Sequence, residues 1–596
     1  MTRLANNPSR RLAMLAAALL LVVFHLGLIF SGIVPNLVAR PLHLALILPW
    51  IFIFADPYNR FSYGAGVVLA VLAIAGAVWI ALNADRLADQ YGFVESRFQY
   101  AVGAILLLAV LGAARRAIGW PLPLIAVIAL LYAAFGQFIP GEFGHAPLPP
   151  ASLMGTLTLA EGGIFGQLTG VSVGVVSIFV IFGAVLNAGE AGQGFMNLAA
   201  AVAGRLRGGA GKVSVISSAL FGSISGSASA NVASTGAITI PAMIRLGYPR
   251  RIAGAVEAVA SSGGQIMPPL MGAGAFVMVE LTGVPYTHII AAALLPAILY
   301  FAVVWFGIDA YARRFDLGAL PADQRPEMRE LAITSAFFAV PFAVLLGGMF
   351  LIGYTPQYAA ALAIIAGALL LLFGADLRLD LRRAAERVES ALIGAARQVA
   401  LIAAIIICAS IIIGVLAITG LGVKITSLIL SASNGQIWPS LLLTALACLV
   451  LGMEVPTTAA YVICISVAGP ALTSLGLEPL QAHLFVFWFA LLSTITPPVC
   501  GAVYIAAGMA QENWLRVAIT AMAIGVGLYL IPLGMIAWPD MIRLTEAPLS
   551  AVISALMVGT GCVIISYALI GLRQPLRVAL GLMAGLAVIF LLPMVV

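Results

Sequence analysis

FGSISGSASANVASTGAITIP, residues 221–241, breaks an apolar segment (213–244) with glycine, serine, threonine and asparagine. The segment is apolar enough to enter a bilayer, yet too interrupted to cross it cleanly. Inside hydrocarbon every backbone group needs a partner within the protein. LGMEVPTTAAY (451–461), within the apolar segment 438–476, has the same character. We read each segment as a helical hairpin that enters the membrane and turns back. Aligning Gly222 with Gly452 sets Ser227 against Thr457 and Asn231 against Tyr461, at a spacing of 230. Downstream, MPPLMGA (267–273) pairs with TPPVCGA (496–502) at a spacing of 229. Two matches at nearly one spacing point to an internal repeat.

A Pro-Pro step in an apolar helix removes backbone donors and frees carbonyls that lipid cannot satisfy. Gly263 and Gly264, just before Pro268 and Pro269, let the chain unwind and approach a ligand closely. Freed carbonyls and hydroxyls suit a dehydrated monovalent cation, while half-helix N-termini favour an anion. Small residues also mediate plain helix packing in membranes. A lone serine-rich stretch fits that simpler role; matched hairpins and matched Pro-Pro steps favour a binding site.

Outward from these motifs, the composition is that of a membrane protein. Of 596 residues, 62% are hydrophobic and 9% charged, against about 25% charged in ordinary soluble domains; mean hydropathy is +1.11. A cytoplasmic enzyme and a disordered chain are excluded. Continuous apolar runs near twenty residues exclude a transmembrane barrel. The expected fold class is an all-α polytopic membrane protein. The net charge of +6 is no nucleic-acid footprint, because the basic residues cluster between apolar runs. Five scattered cysteines without a C-x-x-C pair argue against disulfides or zinc. No Walker-type phosphate loop occurs, and no nucleophile–base or metal-ligand spacing supports an enzyme.

The first apolar run (13–34) follows Arg3, Arg10 and Arg11 and reads as an uncleaved span with a cytoplasmic N-terminus. Spans are expected near 42–55, 65–83, 100–113 and 119–139, with 85–100 lying along the interface. Further spans fall near 170–188, 252–283, 289–308, 331–352, 357–374, 398–418, 480–510, 515–536, 548–571 and 578–594. This topology leaves only Arg40, Arg86, Arg97, Lys424 and Arg543 of the 29 Lys and Arg outside, as the positive-inside rule requires. It opens one hairpin to each side of the membrane, which makes the repeat inverted, an architecture of many secondary transporters.

GIFG (163–166), GSISGSASANVASTG, ASSGGQIMPPLMGAGAF (260–276), GMEVPTTAAY and STITPPVCGAVYIAAG (493–508) resemble the membrane component of TRAP transporters. The form resembled is the fused one, with small and large permease subunits in one chain, and it looks closest to the TAXI branch. That implies a small-permease-like bundle (1–140), a linker (141–154), a large-permease-like domain (155–540) and extra C-terminal helices (541–596). It implies an elevator fold with re-entrant hairpins and discontinuous helices. It also implies cation-coupled uptake of a small organic anion, delivered by a periplasmic TAXI-type binding protein across a bacterial inner membrane. No organic cofactor, resident metal or nucleic-acid partner is expected beyond the coupling ion, the anion and the surrounding lipid.

By motif, the resemblance implies one cation site at Gly222, Ser223, Ser225 and Gly264 to Met267. The symmetry-related site would use Gly452, Pro456, Thr457 and Ser493 to Thr496. Substrate would sit near Ser227, Ser229, Asn231, Thr235, Pro269 and Thr458. One departure stands out: the family pattern leads us to expect glycine where Glu454 stands. An acidic residue at mid-membrane costs roughly 2.5–3.5 kcal/mol on insertion scales, so Glu454 either serves as a cation or proton ligand or sits where water reaches it. Glu257 raises the same question, and Glu280 is expected near the external surface. Na+ is the favoured coupling ion and H+ the alternative. A passive channel built on re-entrant loops is the rival function.

Overall fold

Two successive runs of helices share one order. In the first, α1 (Gly209–Ser225) and α2 (Ala228–Arg245) form a hairpin. Then α3 (Arg250–Gly263), a break and α4 (Gly272–Thr282) follow, and α5 (Tyr286–Phe315) completes the run. In the second, α6 (Ile437–Gly452) and α7 (Thr457–Ser474) stand in the hairpin positions. They are followed by α8 (Pro479–Leu492), a break and α9 (Gly501–Ala510). Last come α10 (Trp514–Ile524) and α11 (Gly527–Ala537), which divide between them the length that α5 covers alone. Corresponding elements start 228 or 229 residues apart: 209 and 437, 228 and 457, 250 and 479, 272 and 501, 286 and 514.

These relationships come from a computed structural model, which describes residues 8–55, 60–374, 376–452 and 456–592. Eleven helices among the described residues are long and apolar enough to cross a membrane. Among the described residues the sole β pairing is an isolated bridge between Phe373 and Leu379. The chain is an all-α polytopic membrane protein.

Some expectations are revised. The runs 252–283 and 480–510 are each two helices, because glycines and Pro-Pro steps end the first half of each. The Pro268–Pro269 and Pro497–Pro498 bonds are both cis. Residues 85–100, expected along the interface, are not one continuous helix. They hold a short helix, Ala84–Ala88, and turns that lead to Ser96, whose hydroxyl caps the helix Arg97–Ile118 by accepting from Gln99 N–H. The run 398–418 is the later part of a 39-residue helix, Leu381–Thr419. Its charged beginning, LRRAAERVES, ends the apolar run but consists largely of good helix formers.

The described chain groups into two units. The first comprises 1–189, 340–436 and 465–471. Its central member is the 39-residue helix, about 58 Å long at ~1.5 Å per residue. The helices Pro8–Phe30, Asn36–Phe52, Arg97–Ile118, Pro121–Phe135 and Ser177–Ala188 pack on it. Small buried residues, among them Ala391, Ala395, Ala403 and Gly414, permit that close approach. GIFG is a tight turn against the same helix, with Ser410 Oγ donating to Gly163 O at 2.7 Å. A side chain at Gly414 would meet Gly162 O at 2.3 Å, which explains the glycine at 414. Arg40 fixes the turn by donating to Phe165 O (2.6 Å) and pairing with Glu161 (3.1 Å).

The second unit comprises 190–339, 437–464 and 472–596 and holds most of both repeats. There α1, α2 and α3 pack against one another, and α9 lies against α2 and α3. Helix α8 packs on α6 and α11, while α5 packs on the C-terminal helix Pro548–Gly571.

Candidate functional site

The first hairpin turns at Gly226, whose φ of +62° is the left-handed conformation that glycine adopts without penalty. Ser227 caps α2, its Oγ accepting from Ala230 N–H at 3.3 Å. The turn then meets the first break at two glycine pairs. A Cβ on Gly226 would sit 2.9 Å from Gly272 Cα, and one on Gly222 would sit 2.6 Å from Gly264 Cα. Backbone therefore touches backbone, and any side chain at these positions pushes the hairpin away from the break.

Around the second pair the proposed cation residues come together. Ser223 Oγ donates to Leu220 O at 2.8 Å and Ser225 Oγ lies 3.5 Å from Gly222 O. Met267 N–H donates to Gly264 O at 3.3 Å, ending the first half-helix. Pro269 follows, and its carbonyl accepts from the Tyr286 hydroxyl of α5.

Asn231 and Thr235 are bonded inward. Asn231 Nδ2 donates to Ser218 O (2.9 Å) and Ser261 O (3.3 Å), bridging α1 and α3. Thr235 belongs to a cage around Glu257, which is fully buried. Ser214, Ser218 and Ser261 Oγ lie 2.7, 3.2 and 3.0 Å from its carboxyl oxygens, and the Thr235 and Thr239 hydroxyls also donate to it. Three helices thus supply five hydroxyls to one carboxyl. Thr235 and Thr239 also reach the carbonyls four residues back, at 2.8 and 3.1 Å. The cage can therefore satisfy either an ionised or a protonated Glu257 without repacking. Ser214, Ser218, Thr239 and Ser261 were not singled out from the sequence. Their signal is two hydroxyl pairs at helical i,i+4 spacing, 214/218 and 235/239, with Ser261 at the same spacing from Glu257.

The second repeat builds a comparable join with different groups. A Cβ on Gly452 would sit 2.9 Å from Ser493 Oγ, so the end of α6 lies against the second break. Ser493 Oγ donates to Ala490 O at 2.9 Å; Thr496 Oγ1 lies 2.7 Å from both Leu492 O and the Tyr529 hydroxyl. Thr457 is buried, and Pro456 and Thr458 are partly exposed. Glu454 lies outside the described residues. Glu280 is exposed near the end of α4. Val486 occupies the position in α8 that corresponds to Glu257, so the carboxyl cage belongs to the first repeat alone.

Besides the packing of α9 on α2 and α3, hydroxyls mark two further contacts between the repeats. Ser262 Oγ lies 2.9 Å from Thr494 Oγ1, linking the ends of α3 and α8. Ser229, in the first turn of α2, lies against the start of α9, where a Cβ on Gly501 would sit 3.3 Å from its hydroxyl. Two helix N-termini, one from each repeat, thereby share one location with a partly exposed hydroxyl. The unpaired N–H groups and positive dipole ends there suit an anion. Among the described residues no three His, Cys, Asp or Glu side chains group as a metal site.

Comparison with known proteins gives a consistent picture. Residues 105–550 match the family described as tripartite ATP-independent periplasmic transporter, DctM component. The C4-dicarboxylate TRAP transporter large permease protein DctM of Pseudomonas aeruginosa is 26% identical over 325 residues, covering 54% of this chain and 74% of its own. The isethionate TRAP transporter permease protein DctMQ of Oleidesulfovibrio alaskensis is 24% identical over 418 residues, 69% of this chain and 64% of its own. The 2,3-diketo-L-gulonate TRAP transporter large permease protein YiaN of Escherichia coli is 26% identical over 343 residues, 56% of this chain and 77% of its own.

Proposed function

The chain belongs to the tripartite ATP-independent periplasmic transporter family, as a DctM component, and on that premise we propose that it is a cation-coupled permease for a small organic acid. Substrate reaches it from a periplasmic binding protein of the TAXI type. The chain sits in a bacterial inner membrane with its N-terminus in the cytoplasm and works by an elevator motion. The names of the relatives support an organic-acid substrate, since they specify C4-dicarboxylate, isethionate and 2,3-diketo-L-gulonate.

The observation that carries the reading is the shared position of the α2 and α9 N-termini at Ser229 and Gly501. An anionic group bound there takes hydrogen bonds from backbone N–H groups of both repeats and from one hydroxyl. It needs no Arg or Lys, and neither hairpin core carries one. Sodium ions would occupy the two glycine-lined joins, at Gly222–Gly264 and at Gly452–Ser493. In each, freed carbonyls stand beside hydroxyls, the donors a dehydrated monovalent cation requires. A bound cation beside each half-helix raises the affinity for the anion, and this links the two gradients.

A second reading has its own support. Glu257 is a buried carboxyl whose five hydroxyl partners serve either protonation state, which suits a proton carrier in place of Na+.

Purified protein in vesicles tests both, with succinate, isethionate and 2,3-diketo-L-gulonate as probes and the cognate binding protein outside. An inward Na+ gradient is expected to concentrate one of them above its external level; a pH gradient alone does so only under the second reading. A passive pore cannot concentrate its solute, and full uptake without the binding protein would remove the TAXI assignment.

A further inference from the structure

Between α1 and α5 lies a cavity of about 410 Å3 with a wholly apolar wall. Val215 and Ala219 of α1, Phe301, Trp305 and Phe306 of α5, and Met267 of the first break contribute to it. Its α5 side continues to Ile298, which is 48% exposed, and Phe306 is 45% exposed, so the cavity is a groove open at the surface of the unit. A volume of this size is ligand-sized, at the lower end of roughly 300–1,000 Å3. Its wall offers a polar molecule no partner.

One end of the groove is charged. Lys212, in the first turn of α1, pairs with Asp309 at 3.2 Å and stands 5.0 Å from the centroid of Trp305. Arg313 pairs with the same carboxylate at 2.9 Å and is exposed. The loop before α1 carries the exposed Arg205 and Arg207, and it is tied to the end of α5 by Gly208 N–H donating to Leu317 O at 3.0 Å. Arg205, Arg207, Lys212 and Arg313 thus belong to this end, beside Asp309, while Arg314 turns away and donates to Ile570 O at 3.2 Å.

The dimensions narrow the occupant. From Asp309 to Ile298 the helix rises about 16 Å at ~1.5 Å per residue, close to half of a hydrocarbon core about 30 Å thick. On the topology inferred from the sequence, the charged end faces the cytoplasm. The groove therefore runs through one leaflet, apolar along its length and cationic at the headgroup level.

We propose that this groove binds an anionic glycerophospholipid of the cytoplasmic leaflet, one acyl chain along α5 and the phosphate beside Arg205, Arg207 and Arg313. Basic clusters between membrane helices on that side recognise such headgroups. Met267 immediately precedes Pro268, so the chain's far end touches the first break, and occupancy bears on how readily that break rearranges.

Native mass spectrometry of the purified full-length protein tests this, with phosphatidylglycerol and phosphatidylethanolamine of identical chains. The expected result is at least fivefold more retained phosphatidylglycerol. Filling the groove with Ala219→Phe, or with the milder Ala302→Leu if the first does not fold, should remove that excess. The double variant Arg205→Gln, Arg207→Gln should lower phosphatidylglycerol to the level of phosphatidylethanolamine. Equal retention of the two lipids, or an excess that survives either kind of variant, overturns the proposal. The readout is lipid binding alone, so its failure leaves the transport reading untouched.

Discussion

The hydroxyls of Ser262 and Thr494 lie 2.9 Å apart, joining the ends of two half-helices that occupy corresponding places in the two repeats. Each also reaches a carbonyl of its own helix, Ala258 O at 2.8 Å and Leu491 O at 2.8 Å. One hydroxyl therefore donates across while the other donates back. A net hydrogen bond of this kind contributes about 1 kcal/mol. Ser262→Ala and Thr494→Val should each lower stability by about that amount, and the double variant should cost less than their sum. Thermal unfolding in detergent for the complete cycle checks this; simple additivity would mean that the contact contributes nothing.

Gly222→Ala and Gly264→Ala each place a methyl group within 2.6 Å of backbone across the hairpin–break contact. Neither backbone can yield cheaply, so the apparent Na+ affinity of uptake should fall at least tenfold. Gly508→Ala is the control: nothing lies within 4 Å of its would-be Cβ. Alanine there should leave transport unchanged and stabilise α9 by about 0.5–1 kcal/mol, the usual helix preference for Ala over Gly.

For Glu257→Gln, an amide Nε2 replaces a carboxyl oxygen that now accepts hydroxyl hydrogens. At least one hydroxyl must turn away, and a buried group left unsatisfied costs about 1–3 kcal/mol. Lower thermal stability with Na+-driven uptake retained is expected under sodium coupling. Loss of all gradient-driven uptake, with exchange of labelled solute preserved, would instead identify Glu257 as the proton carrier.

Replacing Ser229 by leucine removes the one side-chain donor assigned to the anion and fills the space before Gly501. A hydrogen bond to a charged group is worth about 1.5–3 kcal/mol, so KM for the transported acid should rise roughly tenfold or more. Protein yield should stay near wild type, because Ser229 is only partly buried. Initial-rate uptake at saturating Na+ measures it.

The repeat and its breaks were legible because glycine and proline act locally: Gly226 needs a left-handed φ, and Pro-Pro ends a helix whatever surrounds it. The spacing of 229 follows from those same residues. Hydroxyls were harder to read. Asn231, Thr235 and Ser229 look alike in sequence, yet the first two point into the hairpin, toward Ser218 O and Glu257, while Ser229 faces the other repeat. Which helix faces meet is decided by packing, and a single sequence carries little of it. Leu381–Thr419 was read short for a different reason, since its arginines and glutamates break the hydropathy but not the helix.

Thiol labelling at position 229 reaches the central claim most directly, because the five native cysteines are all buried. In Ser229→Cys, maleimide modification should slow several-fold when Na+ and a transported acid are present together, and little with either alone. An unchanged rate under that combination would mean that the anion does not bind where α2 and α9 begin.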